Sequence, residues 1–540
     1  MRQQQLQRRF RRIWGHALSL STIFTLVIMP ATVAAERIQF FVGPFQPTIW
    51  VNDLEAFAKD GTVTDRFRLF AQNLSPEQLQ ELREFLNLNL DVDLITMSQT
   101  TYWQVGERFL DRMGQVIQTD GFLNGSRALR AALIFSAQDG NGVTPLEVLQ
   151  NFPLKTIQLD FVLMRQLILE NRRFFVGRDQ IVAELRATGD REAAQFFPAV
   201  RANPSEPGNL QWQQETLTLQ NPLRSGDIPF DVYLPQTGSS EAKIPIVVLS
   251  HGVASSRNTF AYLAKHLASH GYAVVVPQHD DDSRKYEQFL AGVDRPPNPI
   301  TLVSRPRDIS LALDELERQA KTRQDYAKLD LNNVGLIGHS LGGFTVLAAA
   351  GAEFNFEKLQ KNCPLENRDR PSLNPSLLVQ CDLLDLFAGA PFKLRDERIR
   401  AVMAINPLTS LFFGEAGLGQ ITIPTLFVAA TADTIVPAIP EQIEPYRWLK
   451  TDYRYLVVAE NVTHFSFVEG SLEEGALPLP SSLLGPDPQK ARPYLKAVSL
   501  SFFNRHLLLQ SDAEAFLTQP NLDLLGTKPF RLAIVRNLAP

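Results

Sequence analysis

The chain has 540 residues, of which 44% are hydrophobic and 21% are charged, and its formal net charge is −5. This length exceeds that of one ordinary domain, so we expect two substantial hydrophobic cores. The composition is that of a folded protein and excludes the disordered and fibrous classes. The negative net charge argues against a protein that binds nucleic acids.

Residues 1–35 have the pattern of a secretory signal peptide. Five arginines precede an apolar run from Ala17 to Met29, and the small residues 33–35 follow that run. We expect cleavage after Ala35, which removes five positive charges, takes the net charge from −5 to −10 and exports the protein to the periplasm or the extracellular space. The alternative is an uncleaved membrane anchor, although the run is shorter than the roughly 20 apolar residues that a spanning helix needs.

Residues 36–201 carry apolar side chains at three- and four-residue spacing, which predicts an all-helical amino-terminal domain. One helix in it has an explicit start. Ser75 is placed to cap the helix, Pro76 to occupy its first position, and Gln78 to complete a capping box. Residues 202–210 are rich in Pro, Ser and Gly, which indicates a linker to the next domain.

Beyond the linker, residues 211–540 alternate short apolar runs with helical ones. The runs with strand character are 244–250, 272–278, 334–338, 400–406, 424–430 and 454–460. Continuous apolar strands separated by helices are typical of a parallel sheet that is covered on both faces. The predicted fold class is therefore α/β, with a mostly parallel, doubly wound sheet preceded by the all-helical domain.

The run 334–338 leads into the sequence "GHSLGG", in which Ser340 lies between a strand and a helical segment. A Gly-x-Ser-x-Gly motif at such a sharp turn is typical of an exposed serine nucleophile. A serine hydroxyl needs a histidine to take its proton and a carboxylate to orient that histidine. Asp433 follows the run 424–430 and His464 follows the run 454–460, in the order that such folds use. We therefore predict Ser340 as nucleophile, His464 as base and Asp433 as the acid.

Acyl transfer at Ser340 also requires two backbone N–H groups that bind the developing oxyanion. We predict that these belong to Leu341, directly after the serine, and to Val253, in the loop after the run 244–250. The acidic stretch Asp280 to Asp282 is interpreted as a solvated charge run and is not assigned to the site. No metal and no cofactor are predicted, because serine-based ester hydrolysis needs neither.

These motifs resemble those of the α/β-hydrolase superfamily, and within it the platelet-activating-factor acetylhydrolases and the dienelactone-hydrolase-like esterases. The likeness rests on "SHGVASSRNTF", "RPRDISLALDEL" and "GHSLGG", extends from about Gln211 to His506, and implies ester hydrolysis. In the acetylhydrolases the acid tends to follow the strand after the nucleophile, where Asn406 stands here. Asp433, one strand later, has the placement of the wider superfamily. The amino-terminal segment resembles a domain of unknown function that precedes such hydrolases in cyanobacteria.

Residues 351–397 form a long insertion between the nucleophile segment and the next strand, rich in Leu and Phe. It is either an apolar lid, which would favour hydrophobic esters, or a segment whose apolar side chains fill its own small core. The chain's two cysteines, Cys363 and Cys381, lie within it. In an exported protein they could form a disulfide, and two buried free thiols are the alternative.

Together with the predicted signal peptide, the resemblance implies an exported serine esterase or lipase whose partner is a small-molecule ester or lipid. An amidase, a peptidase or a thioesterase would use the same residues, and a binding protein on the same scaffold is a further alternative. The sequence leaves contact with a membrane surface open and does not determine the oligomeric state.

Overall fold

The computed structural model describes most of the chain. The described residues are 34–41, 46–175, 178–193, 203–238, 242–363, 372–386, 392–469, 485, 488–525 and 530–536. The predicted signal peptide falls almost entirely on residues 1–33, which lie outside these ranges. Over the described ranges, every helix is too short or too polar to span a bilayer.

The amino-terminal segment contains a small sheet, so the prediction of an all-helical domain is wrong. Its strands are β1 (Arg37–Phe40), β2 (Thr48–Trp50), β3 (Ile117–Thr119), β4 (Leu123–Asn124) and β5 (Thr156–Leu159). They form one sheet in the order β2-β1-β5-β3-β4. Strands of two to four residues are too short to show an alternating pattern in the sequence. The parallel pair β1 and β5, with Ile38 opposite Ile157, also joins residues that are far apart in the chain.

Helices make up the rest of this segment. In the described residues they are α1 (Val51–Asp60), α2 (Asp65–Ala71), α3 (Pro76–Leu86), α4 (Leu94–Tyr102), α5 (Gln104–Val116), α6 (Ser126–Ser136), α7 (Pro145–Gln150), α8 (Phe161–Phe175) and α9 (Arg178–Ala193). The predicted start of α3 is confirmed, because the Ser75 side chain accepts the Gln78 N–H and the Gln78 side chain accepts the Ser75 N–H.

In the described residues the larger sheet has nine strands, and it confirms the α/β fold class. They are β6 (Trp212–Leu219), β7 (Ile228–Pro235), β8 (Ile244–Ser250), β9 (Ala273–Pro277), β10 (Leu329–His339), β11 (Ile399–Ile405), β12 (Thr425–Ala430), β13 (Arg454–Glu460) and β14 (Arg531–Val535). Their order is β14-β13-β12-β11-β10-β8-β9-β7-β6. Six consecutive strands, from β13 to β9, are parallel. The edge strand β14 pairs antiparallel with β13, and β7 pairs antiparallel with β9 and with the edge strand β6; the sequence analysis missed these three strands.

Helices cover both faces of this sheet, and each face has its own cluster of buried side chains. The described helices are α10 (Ala261–Ser269), α11 (Ser283–Leu290), α12 (Thr301–Ala320), α13 (Leu341–Ala349), α14 (Phe356–Asn362), α15 (Ser376–Gln380), α16 (Leu383–Leu386), α17 (Gly414–Leu418), α18 (Glu444–Tyr446), α19 (Arg492–His506) and α20 (Gln519–Leu525). The carboxyl ends of the parallel strands meet at one edge of the sheet, where open α/β sheets build their sites.

The amino-terminal segment packs on the insertion. Arg108 of α5 forms ion pairs with Asp382 and Asp385 and donates to the main-chain oxygen of Leu378 at 3.2 Å. Gln104 donates to Asp385 at 2.8 Å. These contacts join residues that are at least 270 positions apart in the chain.

Candidate active site

Strand β10 and helix α13 meet at Ser340 in a sharp turn, and this turn has no space for a side chain at Gly338 or Gly342. Ser340 has φ 56° and ψ −121°, a conformation that costs an ordinary residue on the order of 1–3 kcal/mol. A Cβ at Gly342 would lie 2.1 Å from the Ser250 carbonyl oxygen, and a Cβ at Gly338 would lie 2.0 Å from that of Gly342. Both glycines are therefore required by close backbone approach, and the backbone strain falls on Ser340 itself.

His464 and Asp433 are joined by a hydrogen bond at the same edge of the sheet. His464 follows β13 and donates from Nδ1 to Asp433 Oδ2 at 2.6 Å. Asp433 follows β12, and its Oδ1 accepts the N–H groups of Ile435 at 2.9 Å and Val436 at 2.7 Å. Asp433 is fully buried. Since Nδ1 carries the hydrogen, Nε2 of the neutral imidazole is the nitrogen that can accept a proton.

His339, the residue before Ser340, contacts His464 and so places Ser340 near it. His339 Nε2 donates to the main-chain oxygen of His464 at 2.9 Å, and the centroids of the two rings are 4.7 Å apart. Burial lowers the pKa of His339 well below its ordinary value, so its ring is a neutral donor. Among the described residues, Ser340 Oγ and His464 Nε2 form no hydrogen bond. Such bonds are often long without substrate and shorten in the complex.

The two predicted oxyanion donors lie beside Ser340. Leu341 is the first residue of α13, and the first N–H groups of a helix have no acceptor within the helix. Val253 lies in the loop after β8, and in the described part of the chain its N–H has no acceptor. This loop is next to the nucleophile, because a Cβ at Gly252 would lie 3.2 Å from the Ser340 Cβ.

Asn406, which stands in the acid's place of the acetylhydrolases, is fully buried at the end of β11. Its φ is 45°, and its N–H donates to the Val428 oxygen at 2.8 Å. Neither polar atom of its side chain has a partner in the described residues. The imidazole of His464 is therefore bonded to Asp433 and not to Asn406.

The interpretation of Asp280 to Asp282 as a solvated charge run is wrong for two of the three residues. Asp281 is buried and accepts from Arg305 Nε at 2.8 Å. Asp282 is buried and caps α11 by accepting the Lys285 N–H at 2.8 Å. The counter-charge of Asp281 comes from a helix that begins 20 residues later, so a local charge pattern does not reveal it. The feature of the sequence that points to the site is the position of Asp281, four residues after the end of β9 at the site edge of the sheet.

Cys363 and Cys381 are paired in a disulfide with a Cα–Cα distance of 5.5 Å, the first of the two alternatives. In the described part of the insertion, apolar side chains pack on the helix that begins at the nucleophile. Phe354 stacks on Phe344 of α13 with ring centroids 5.8 Å apart, and it also contacts Phe413. The insertion therefore shares the core of the larger sheet beside α13.

Two family models match this chain. Residues 34–160 match the model described as "Alpha/beta hydrolase of unknown function (DUF1400)". Residues 208–324 match the model described as "Platelet-activating factor acetylhydrolase, isoform II". The second match includes β8, the loop with Val253 and helix α12.

Curated relatives resemble parts of the chain. A bis(hydroxyethyl) terephthalate hydrolase from Streptomyces coelicolor is 25% identical over 278 residues, which are 49% of this chain and 67% of that protein. A platelet-activating factor acetylhydrolase from Cavia porcellus is 26% identical over 145 residues, which are 21% of this chain and 33% of that protein. The chain thus spans only a third of the second relative's length.

Proposed function

We propose that this chain is a serine esterase of the α/β-hydrolase type, which cleaves carboxylic esters through an acyl-serine intermediate. The observation that carries the proposal is the 2.6 Å hydrogen bond between His464 Nδ1 and Asp433 Oδ2, at the sheet edge where Ser340 has its strained backbone. The names of the curated relatives support ester hydrolysis as the class of reaction.

In the proposed mechanism, Ser340 Oγ attacks the ester carbonyl carbon while His464 Nε2 takes the hydroxyl proton. The Asp433 carboxylate stabilises the imidazolium that forms. The N–H groups of Val253 and Leu341 bind the oxyanion of the tetrahedral intermediate. The alcohol then leaves with the proton from His464. A water molecule next attacks the acyl carbonyl carbon while His464 Nε2 takes its proton, and the bond to Ser340 Oγ breaks as that proton passes to Oγ, which releases the carboxylic acid.

We propose hydrophobic esters as substrates. The support is the apolar composition of the insertion 351–397, which packs beside the nucleophile helix through Phe354, and the name of one relative, a bis(hydroxyethyl) terephthalate hydrolase, which is named for an aromatic ester. Export is also part of the proposal. The signal-like segment 1–35 and the disulfide between Cys363 and Cys381 both suit an oxidising compartment.

We further propose that the chain is divided as predicted, into an amino-terminal domain at 36–201, a linker at 202–210 and a hydrolase domain at 211–540. The ion pairs from Arg108 to Asp382 and Asp385 suggest a role for the first domain. It would hold the insertion 351–397 in place beside the site.

The test compares the purified protein with Ser340→Ala on p-nitrophenyl esters of increasing acyl length and on bis(hydroxyethyl) terephthalate. We expect the substitution to lower kcat by a factor on the order of 10⁴ or more, because it removes the nucleophile. A fluorophosphonate probe should label the wild type and not the variant. Equal turnover by the two proteins would refute the proposal.

A further inference from the structure

The peptide between Gly252 and Val253 is held through its carbonyl group. The Gly252 oxygen accepts from His251 Nδ1 at 2.8 Å and from Arg305 Nη2 at 3.1 Å. In a trans peptide the carbonyl and the following N–H point in opposite directions. Two donors on the Gly252 oxygen therefore fix the direction of the Val253 N–H, which is a predicted oxyanion donor.

The hydrogen-bond pattern assigns the tautomer of His251. Its Nε2 accepts the main-chain N–H of His279 at 3.0 Å, so the ring hydrogen is on Nδ1 and is donated to the Gly252 oxygen. Burial lowers the pKa of His251 well below its ordinary value, and His279 and Arg305 lower it further. The ring is therefore neutral, and Arg305 supplies the positive charge behind the loop.

Arg305 is 0% exposed, although it belongs to the residue type that is seldom fully buried. Its Nε donates to Asp281 at 2.8 Å and its Nη1 donates to the His251 oxygen at 2.9 Å. The main-chain oxygen of Asp281 accepts the Ala254 N–H at 3.0 Å, and Ala254 has φ 51°. Arg305 and Asp281 thus hold the loop on both sides of Val253.

The same guanidinium reaches the helix that carries the other donor. Arg305 Nη1 lies 3.4 Å from Thr345 Oγ1, which donates to the Leu341 oxygen at 2.7 Å. One buried side chain therefore contacts the loop of the first oxyanion donor and, through Thr345, the helix that provides the second. A lysine could not reproduce this, because it has no planar fork of five donors.

We propose that Arg305 is a positioning residue for the oxyanion hole. Its guanidinium fixes the carbonyls of His251 and Gly252 so that the Val253 N–H faces the oxyanion that forms on a substrate at Ser340. The assignment rests on the proposed function. The negative charge of Asp281 balances the guanidinium, and this makes the burial of Arg305 tolerable.

The test is Arg305→Lys, with Arg398→Lys as the matched control. Arg398 also binds an aspartate, Asp396, and a main-chain oxygen, that of Ser310 at 3.1 Å, but it lies at the opposite end of β11 from the site. We expect Arg305→Lys to lower kcat for p-nitrophenyl esters roughly 10- to 100-fold, with KM changed less than about threefold, since an oxyanion donor is misplaced. The control should retain wild-type kcat.

A trifluoromethyl ketone, which forms a tetrahedral oxyanion on the nucleophile, separates positioning from folding. Its affinity for Arg305→Lys should fall by the same factor as kcat/KM, while the pH profile of kcat/KM stays that of the wild type. Undiminished kcat, or reduced kcat with unchanged affinity for the ketone, would overturn the assignment.

The test also remains decisive if Arg305→Lys does not fold or if the wild type has no activity. If Arg305→Lys does not fold, Asp281→Asn, which weakens the anchor of Arg305, decides by the same criteria, with a smaller loss of kcat expected. No turnover by the wild type would overturn the proposed function together with this assignment. Turnover by the wild type that Arg305→Lys matches would overturn this assignment alone.

Discussion

Replacement of Asp433 by Asn tests the identity of the acid. In the wild type, Asp433 Oδ2 accepts from His464 Nδ1 at 2.6 Å, while Oδ1 accepts the N–H groups of Ile435 and Val436. In Asp433→Asn the amide oxygen would stay with the two N–H groups, and the NH₂ group would then face His464. Imidazole would have to accept at Nδ1 and carry its hydrogen on Nε2, the tautomer that cannot take the Ser340 proton.

The expected loss is large and specific to kcat. An enzyme with the wrong tautomer retains binding and oxyanion stabilisation, so we expect kcat to fall about 10⁴-fold, or about 5 kcal/mol in activation free energy. Asn406→Ala is the matched comparison. Its side chain makes no hydrogen bond among the described residues, so removal should change kcat by less than about threefold.

The assay is steady-state hydrolysis of a p-nitrophenyl ester, with the rate of fluorophosphonate labelling at Ser340 as a second readout. Thermal unfolding of each variant shows whether the fold is retained. A larger loss for Asn406→Ala than for Asp433→Asn would refute the assignment of Asp433. It would show that the residue that orients His464 is Asn406, at the position of the acid in the acetylhydrolases.

Three further predictions concern stability and the nucleophile turn. Replacing Cys363 and Cys381 by Ser opens an 18-residue loop and should lower the unfolding free energy of the insertion by about 3 kcal/mol, seen as faster proteolysis there; unchanged cleavage would contradict this. Burial raises the pKa of Asp382 to about 6, so its contribution to stability is complete below the ordinary value of 3.8 and is lost as the pH rises through about 6. In urea titrations, the wild type should therefore lose about 3 kcal/mol of unfolding free energy between about pH 4 and pH 7, and Asp382→Asn should not show this loss. The same pH dependence in the two proteins would argue against this role of Asp382. Gly342→Ala places a Cβ 2.1 Å from the Ser250 oxygen and should abolish fluorophosphonate labelling, whereas retained labelling would show that the turn can relax.

The central sheet could be predicted because its strands are buried on both faces. The runs 244–250 and 454–460 have the bounds of β8 and β13 in the structure. The edge strand β6 was missed for the opposite reason. Strand β6 has the sequence "WQQETLTL" and exposes much of its surface, so it has no continuous apolar run. The small amino-terminal sheet depends on pairing between distant short segments, which periodicity does not report.

The site was predicted to the extent that its residues follow strands. Ser340, Asp433 and His464 each come within four residues of the end of a parallel strand, and parallel strands bring such positions to one edge. Arg305 could not be assigned in this way, because it lies inside helix α12. Its role depends on a carboxylate and on carbonyl groups from other elements, and an arginine in a helical segment is ordinarily a surface residue.

A second serine, histidine and aspartate in this protein show why hydrogen-bond geometry alone does not identify a nucleophile. Ser250 Oγ lies 2.8 Å from His279 Nε2, and His279 Nδ1 lies 3.0 Å from Asp308 Oδ2, which is the connectivity of a catalytic triad. Ser250, however, is the last residue of β8, is 1% exposed, and has its carbonyl oxygen against Gly342. An ester carbonyl cannot reach a hydroxyl there. Ser340 is distinguished by the strained turn and by the N–H groups of Val253 and Leu341 beside it. The backbone around the serine therefore identifies the nucleophile. The hydrogen bonds of the histidine and the aspartate are informative only once the serine has been identified in this way.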